Sequence, residues 1–134
     1  PSGLGDKLWA NIQFAIDGEV DSICLVPLEG SSAKVCAGEL QMAMIRLGKS
    51  AIISDVGSVD SLVMSSNSDT LSIYRCDPLG KSVAAAYCSH DATATVVCAR
   101  MWDDSLTTLA SAIKELTLAK AKIVGIALLT REGA

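Results

Sequence analysis

SICLVPLEGSSAKVCAGELQMAMIRLGKSAIISD, residues Ser22 to Asp55, decides the fold. Ser22-Ile23-Cys24-Leu25-Val26 is apolar without alternation, the pattern of a strand buried on both faces. A loop of small residues follows, and then Ala37, Leu40, Met44 and Leu47 recur at helical spacing from about Ala33 to Leu47. Gly48 stands where a left-handed C-terminal cap belongs. Ser50-Ala51-Ile52-Ile53-Ser54 reads as a second buried strand ending at Asp55. Strand, helix and strand of this kind make a β-α-β crossover, the unit of a parallel sheet.

The flanks repeat the theme. Upstream, Leu8, Ile12, Ala15 and Ile16 share a face of a helix over Gly5 to Ile16 that stops at Asp17-Gly18. Downstream, Val56 to Asp69 is rich in Ser, Asp, Gly and Asn and holds at most a short helix around Val59, Leu62 and Val63. Thr70 to Cys76 reads as a third strand, stopped by Asp77-Pro78, and Ala94 to Ala99 as a fourth, with a weak helix over Ser82 to Tyr87 between them. Asp103-Asp104-Ser105 offers N-caps to a helix whose apolar face is Leu106, Leu109, Ile113 and Leu116. Ile123 to Leu129 is a last buried strand. The expected architecture is a Rossmann-like α/β domain of three layers, with a mostly parallel sheet of about five strands.

At 134 residues the chain is read as one domain, Pro1 to Ala134, with an aliphatic core, since half of it is hydrophobic and only 4% aromatic. A net charge of −4 argues against nucleic acid, whose phosphates need clustered Lys and Arg. Lys114, Lys120 and Lys122 come nearest to a cluster, and they suit the end of a helix. Five cysteines, Cys24, Cys36, Cys76, Cys88 and Cys98, contain no C-x-x-C pair, and His90 is the only histidine. They are read as free buried thiols of a reducing compartment, with no metal site. No run reaches the ~20 apolar residues of a membrane span and no signal peptide is visible, so a cytoplasmic chain without direct membrane insertion is expected. Its start at Pro1 rather than Met suggests an excised domain or a processed or tagged product.

In such a sheet, ligands bind beyond the carboxyl ends of the strands. Those ends carry Pro27-Leu28-Glu29-Gly30-Ser31-Ser32-Ala33-Lys34-Val35, then Asp55, then Asp77-Pro78. A small-residue loop running into a helix can hold an anion on its free N–H groups, although many β-α turns look alike.

Leu8-Trp9-Ala10-Asn11-Ile12-Gln13-Phe14-Ala15 resembles the L-R-T-N-I-Q-F-A segment that opens the cytoplasmic kinase domain of bacterial capsular and exopolysaccharide tyrosine kinases, members of the P-loop, partition-ATPase-like superfamily. Glu29 to Val35 with Ala37-Gly38-Glu39-Leu40-Gln41 is similar to that family's P-G-E-G-K-S-T loop and A-x-N-L-A helix. Gly48 to Gly57 resembles G-K-R-V-L-L-I-D-A-D, Arg75-Cys76-Asp77-Pro78 resembles I-I-D-T-P-P, and His90 to Arg100 resembles A-D-x-x-L-V-V-R. Lys120 to Leu129 resembles G-A-x-V-x-G-V-V-L-N. The likeness spans nearly the whole chain.

The departures fall where the family's catalysis would sit. Ala33 takes the place of the phosphate-binding lysine, Lys34 that of the Mg²⁺-binding hydroxyl, and Ser32 that of a permissive glycine. Gly57 replaces the second Asp of D-A-D, leaving Asp55 and Asp77 as two vestigial, orphan carboxylates whose ordinary role is a strand-end turn or cap. The ring-assembly E-x-x-R-x-x-R falls on Gly3, Asp6 and Trp9 and is lost. Tyr74 in a strand and Tyr87 in a helix form no tyrosine tail.

The resemblance therefore implies a degenerate form: a non-catalytic regulatory or scaffolding domain in capsule, exopolysaccharide or lipopolysaccharide biosynthesis, beside a membrane-embedded polysaccharide chain-length or export protein. No cofactor and no enzymatic activity are expected. Two alternatives stay open: a kinase or ATPase in which Lys34 reaches back to Mg-ATP, and a module reusing the strand-end crevice for a small ligand or a protein. Trp9 and Trp102 are read as core packing, with a docking surface as the alternative.

Overall fold

Apolar residues at consecutive positions of a strand need cover on both faces, and Ser22–Pro27, strand β1, has it: all six residues are buried. Ile23 and Leu25 point into one core, and Cys24 and Val26 into the other. The computed structural model describes residues 3–29, 32–58 and 69–129. Around β1 lie β2 (Ser50–Val56), β3 (Thr70–Cys76), β4 (Ala94–Arg100) and β5 (Ile123–Leu129), in the spatial order β2-β3-β1-β4-β5. Every pairing is parallel, with Ile23 opposite Ile73 on one side and Ala94 on the other. This is a Rossmann-like, P-loop-NTPase-like α/β architecture.

Helices α1 (Leu4–Ala15) and α2 (Ser32–Arg46) cover one face, with Leu8, Trp9, Ile12, Leu40 and Met44 packed on Ile23, Ile73 and Val96. Helices α3 (Ala84–Asp91) and α4 (Leu106–Leu118) cover the other, where Ala84, Ala85, Cys88 and Leu116 meet Cys24, Tyr74 and Val97. The α1–α2 contact depends on Gly5: a Cβ there would stand 2.0 Å from the carbonyl oxygen of Glu39. Gly48 has φ +70° and ends α2 as expected, with the Lys49 N–H reaching back to the Met44 carbonyl at 2.8 Å. Trp9 is buried, with the Lys49 ammonium 5.7 Å from the centre of its ring, and Trp102 packs half-buried against the same core. No described helix is long and apolar enough to cross a membrane.

Several expectations need correction. Neither Ser50–Ser54 nor Ile123–Leu129 is buried on both faces, because β2 and β5 are the sheet edges and the α3/α4 layer reaches only their ends, at Val56 and Ile123. In β2, Ala51 and Ile53 touch that layer while Ile52 is 58% exposed. In β5, Ala127 and Leu129 are buried and Ile126 and Leu128 are exposed. The α4 face keeps Leu109, Ile113 and Leu116 and adds Ala112, but Leu106, expected on it, is 83% exposed. Ser105 alone caps α4, its Oγ accepting from the Thr108 N–H at 3.1 Å. Asp104 turns back to β4 and binds Arg100. The middle helix is α3, centred later than Ser82–Tyr87. Any helix at Val59, Leu62 and Val63 lies outside the described residues.

Candidate functional site

Chain direction places the site. From β1 the chain passes to α2 on one face, and from neighbouring β3 it passes to α3 on the other, so a crevice opens at their carboxyl ends. Pro27 and Pro78 form its floor, shared by two clefts. On the α2 side, a cleft of about 340 Å³ is lined by Ala33, Lys34, Asp55, Gly57, Arg75 and Asp77. On the α4 side, one of about 650 Å³ is lined by Glu29, Leu79, Lys81, Thr108 and Glu115.

The loop after β1 is anchored from inside. The Leu28 N–H donates to the carbonyl of Cys98 on β4 at 3.0 Å, and the Ser32 hydroxyl donates to the same oxygen at 3.2 Å. Ser32 thus turns its hydroxyl into the protein rather than toward a ligand, and it is buried. Ala33 is buried beside it, while Lys34 and Val35 are exposed on the first turn of α2. Gly30 and Ser31 lie outside the described residues.

Of the two acidic positions, Asp55 is not an orphan. The parallel register sets it directly opposite Arg75, whose Nε and Nη2 donate to its two carboxylate oxygens at 2.6 and 2.8 Å. That two-pronged contact holds the Asp55 carboxyl below its usual range, with a smaller contribution from the charge of Lys34, and it raises the Arg75 guanidinium further. Asp77 stands exposed at the end of β3, its N–H on the Val56 carbonyl at 3.2 Å. A Cβ on Gly57 would make ordinary contact with its carboxylate at 3.4 Å. The cleft therefore pairs two cations, Lys34 and Arg75, with two anions, Asp55 and Asp77. Holding a Mg-triphosphate needs cations free for phosphate and carboxylates free for the metal, and the closest pair here satisfies itself.

Arg75 is the residue that reading the sequence overlooked. Its signal is a lone cation inside an apolar strand, but only the register shows which carboxylate it meets. A second gathering is likewise invisible in the spacing: the sulfurs of Cys24 on β1, Cys76 on β3 and Cys88 on α3 all lie within 4.8 Å of one another. All five cysteines are free and buried. Its neighbours Cys76, 3.5 Å away, and Cys88, together with burial, push the Cys24 thiol well up, while Cys24 and Cys76 draw the Cys88 thiol down.

No protein-family model matches the chain, and no curated protein matches it. Solved structures do. The chimerical protein CapA2B2 superposes with a TM-score of 0.74 at 15% identity, over 95% of this chain and 83% of that one. The kinase domain of the Escherichia coli tyrosine kinase ETK gives 0.74 at 10% identity, over 97% and 76% of the two chains. The BceF tyrosine kinase domain gives 0.61 at 16%, over 93% and 75%. The fold is that of the bacterial tyrosine kinase domains, in agreement with the motifs from Leu8 to Leu129.

Proposed function

We propose that this chain is a non-catalytic relative of the capsule and exopolysaccharide tyrosine kinases, a regulatory or scaffolding domain serving a polysaccharide chain-length or export protein at the inner face of the membrane. One observation carries the reading: Arg75 clasps both carboxylate oxygens of Asp55, the first acidic position of the site. Phosphoryl transfer is positioning plus electrostatic stabilisation by Mg²⁺ and lysine. Here the metal's carboxylate is neutralised by a guanidinium, and Ala33 stands where the family's lysine would be. The inward turn of Ser32 further supports a loop kept for its packing.

Thermal melting with and without millimolar Mg-ATP tests this. A ligand at a hundred times its Kd stabilises by about 2.7 kcal/mol. For 134 residues that is a shift of about 10 °C. The expected result is superimposable curves, and a shift of that size refutes the proposal. The triple variant Ala33→Lys, Lys34→Thr, Arg75→Ile rebuilds the cradle and is expected to acquire a Mg-ATP-dependent shift. The position of Lys34 in the same cleft as Asp55 favours a second reading, nucleotide binding through Lys34. ATP turnover abolished by Lys34→Ala would establish that reading and remove the first.

A further inference from the structure

Three sulfur atoms from three separate elements converge in the apolar layer under α3. Cys24 and Cys76 sit on neighbouring strands with Sγ atoms 3.5 Å apart, and Cys88 comes down from α3 to within 4.8 Å of both. A buried cysteine by itself is a small hydrophobe and needs no explanation. Convergence is different: packing alone asks only for apolar volume, which the alanines of the same cluster, Ala84 and Ala85, supply without a polarisable donor.

We propose that Cys24, Cys76 and Cys88 form a buried three-sulfur site for one soft monovalent cation, Cu(I). Metal–sulfur bonds of about 2.3 Å in a trigonal plane require sulfurs about 4.0 Å apart. The observed spacing, 3.5 Å for Cys24 and Cys76 and within 4.8 Å for all three, lies close to that value, so small side-chain rotations close the site. Coordination number selects the ion. Structural zinc takes four ligands, whereas no fourth Cys, His, Asp or Glu joins the cluster among the described residues. Thiolate donors favour soft ions, and d¹⁰ Cu(I) is content with three. The ion enters as Cu(I), with no change of oxidation state, and displaces thiol protons to the buffer. Cys76 borders the cleft beside Asp77 at the end of β3, so the site lies close to the crevice. The remaining pair, Cys36 and Cys98, belongs to the opposite core and serves as an internal control.

The test is anaerobic titration of the intact chain with Cu(I) held by bicinchoninate, read by loss of the chelator's colour and by native mass spectrometry. One copper per chain is expected, with near-ultraviolet sulfur-to-copper absorption. Cys88→Ala should lower the affinity by roughly a hundredfold or more, because loss of even an outer partner of a metal ligand costs 10- to 100-fold. Cys36→Ala should leave it unchanged. X-ray absorption of the copper-loaded wild type counts the sulfurs directly and is independent of whether a variant folds; three at about 2.3 Å are expected. No uptake against the chelator, two sulfurs instead of three, or equal loss in Cys36→Ala and Cys88→Ala each overturns the proposal.

Discussion

Gly5→Ala separates what the sequence suggests from what the packing demands, because the two differ in sign. In an exposed helix the change stabilises by about 0.5–1 kcal/mol, since glycine loses more freedom on folding than alanine. In this protein the added Cβ would lie 2.0 Å from the Glu39 carbonyl oxygen, 2.6 Å from its carbon and 3.3 Å from the Ala43 Cβ. The first two are backbone atoms of α2, which no side-chain rotation can move. Restoring an ordinary separation of about 3.5 Å requires α1 to withdraw by about 1.5 Å. A gap of 0.5–1 Å already forfeits a quarter to a half of each dispersion contact, so Leu8, Trp9 and Ile12 all loosen. Overpacking of this kind costs about 1–3 kcal/mol, and a clash with backbone atoms belongs at the upper end, so after the gain in helix propensity the net loss is about 2 kcal/mol. At about 2.1 cal/mol/K per residue, the 134 residues melt with an entropy of about 280 cal/mol/K, so the midpoint should fall by about 7 °C. Calorimetry measures the fall, and tryptophan emission should shift to the red as Trp9 meets water. An unchanged or raised midpoint would show that α1 does not seat on α2 through Gly5.

Asp55→Asn tests the Arg75 clasp through pH. Because the folded carboxyl is held low, the contribution of the pair is complete above the unfolded value of 3.8 and disappears as pH falls through the lower folded value. Asp55 is 72% exposed, so the variant should lose less than about 1 kcal/mol in urea unfolding at neutral pH, and the gap should close as the pH falls below the unfolded value. A gap of constant size across that range would mean the charge is not involved. Asp104→Ala removes a nearly buried carboxylate that binds the Arg100 N–H at 2.7 Å and its guanidinium at 3.1 Å. It should cost about 2–3 kcal/mol, with Asp104→Asn recovering part; equal stability of all three proteins would refute the anchor. Ser105→Ala deletes the α4 cap, and a loss of about 1 kcal/mol is expected in the same assay.

The helices and strands were legible because periodicity and caps are local: the apolar run at Ser22, the spacing of Ala37, Leu40 and Met44, and Gly48 in its left-handed conformation all reappear in the structure. The strand-end crevice was legible too, since a β-α-β crossover admits nearly one hand and leaves an opening at the carboxyl ends of the strands. Edge status was not. Ser50-Ala51-Ile52-Ile53 has the composition of a buried strand, yet its cover is set by strand order and by how far α3 and α4 extend. Nor could the chain alone pair Arg75 with Asp55 or bring Cys24, Cys76 and Cys88 together, because contacts between distant residues are decided by register and by which face each residue occupies. Composition and period determined the elements, their layers and the crevice. Tertiary structure decided which charges meet in that crevice and which sulfurs gather beneath it, since electrostatics and coordination depend on separations of a few ångströms that only the folded chain defines.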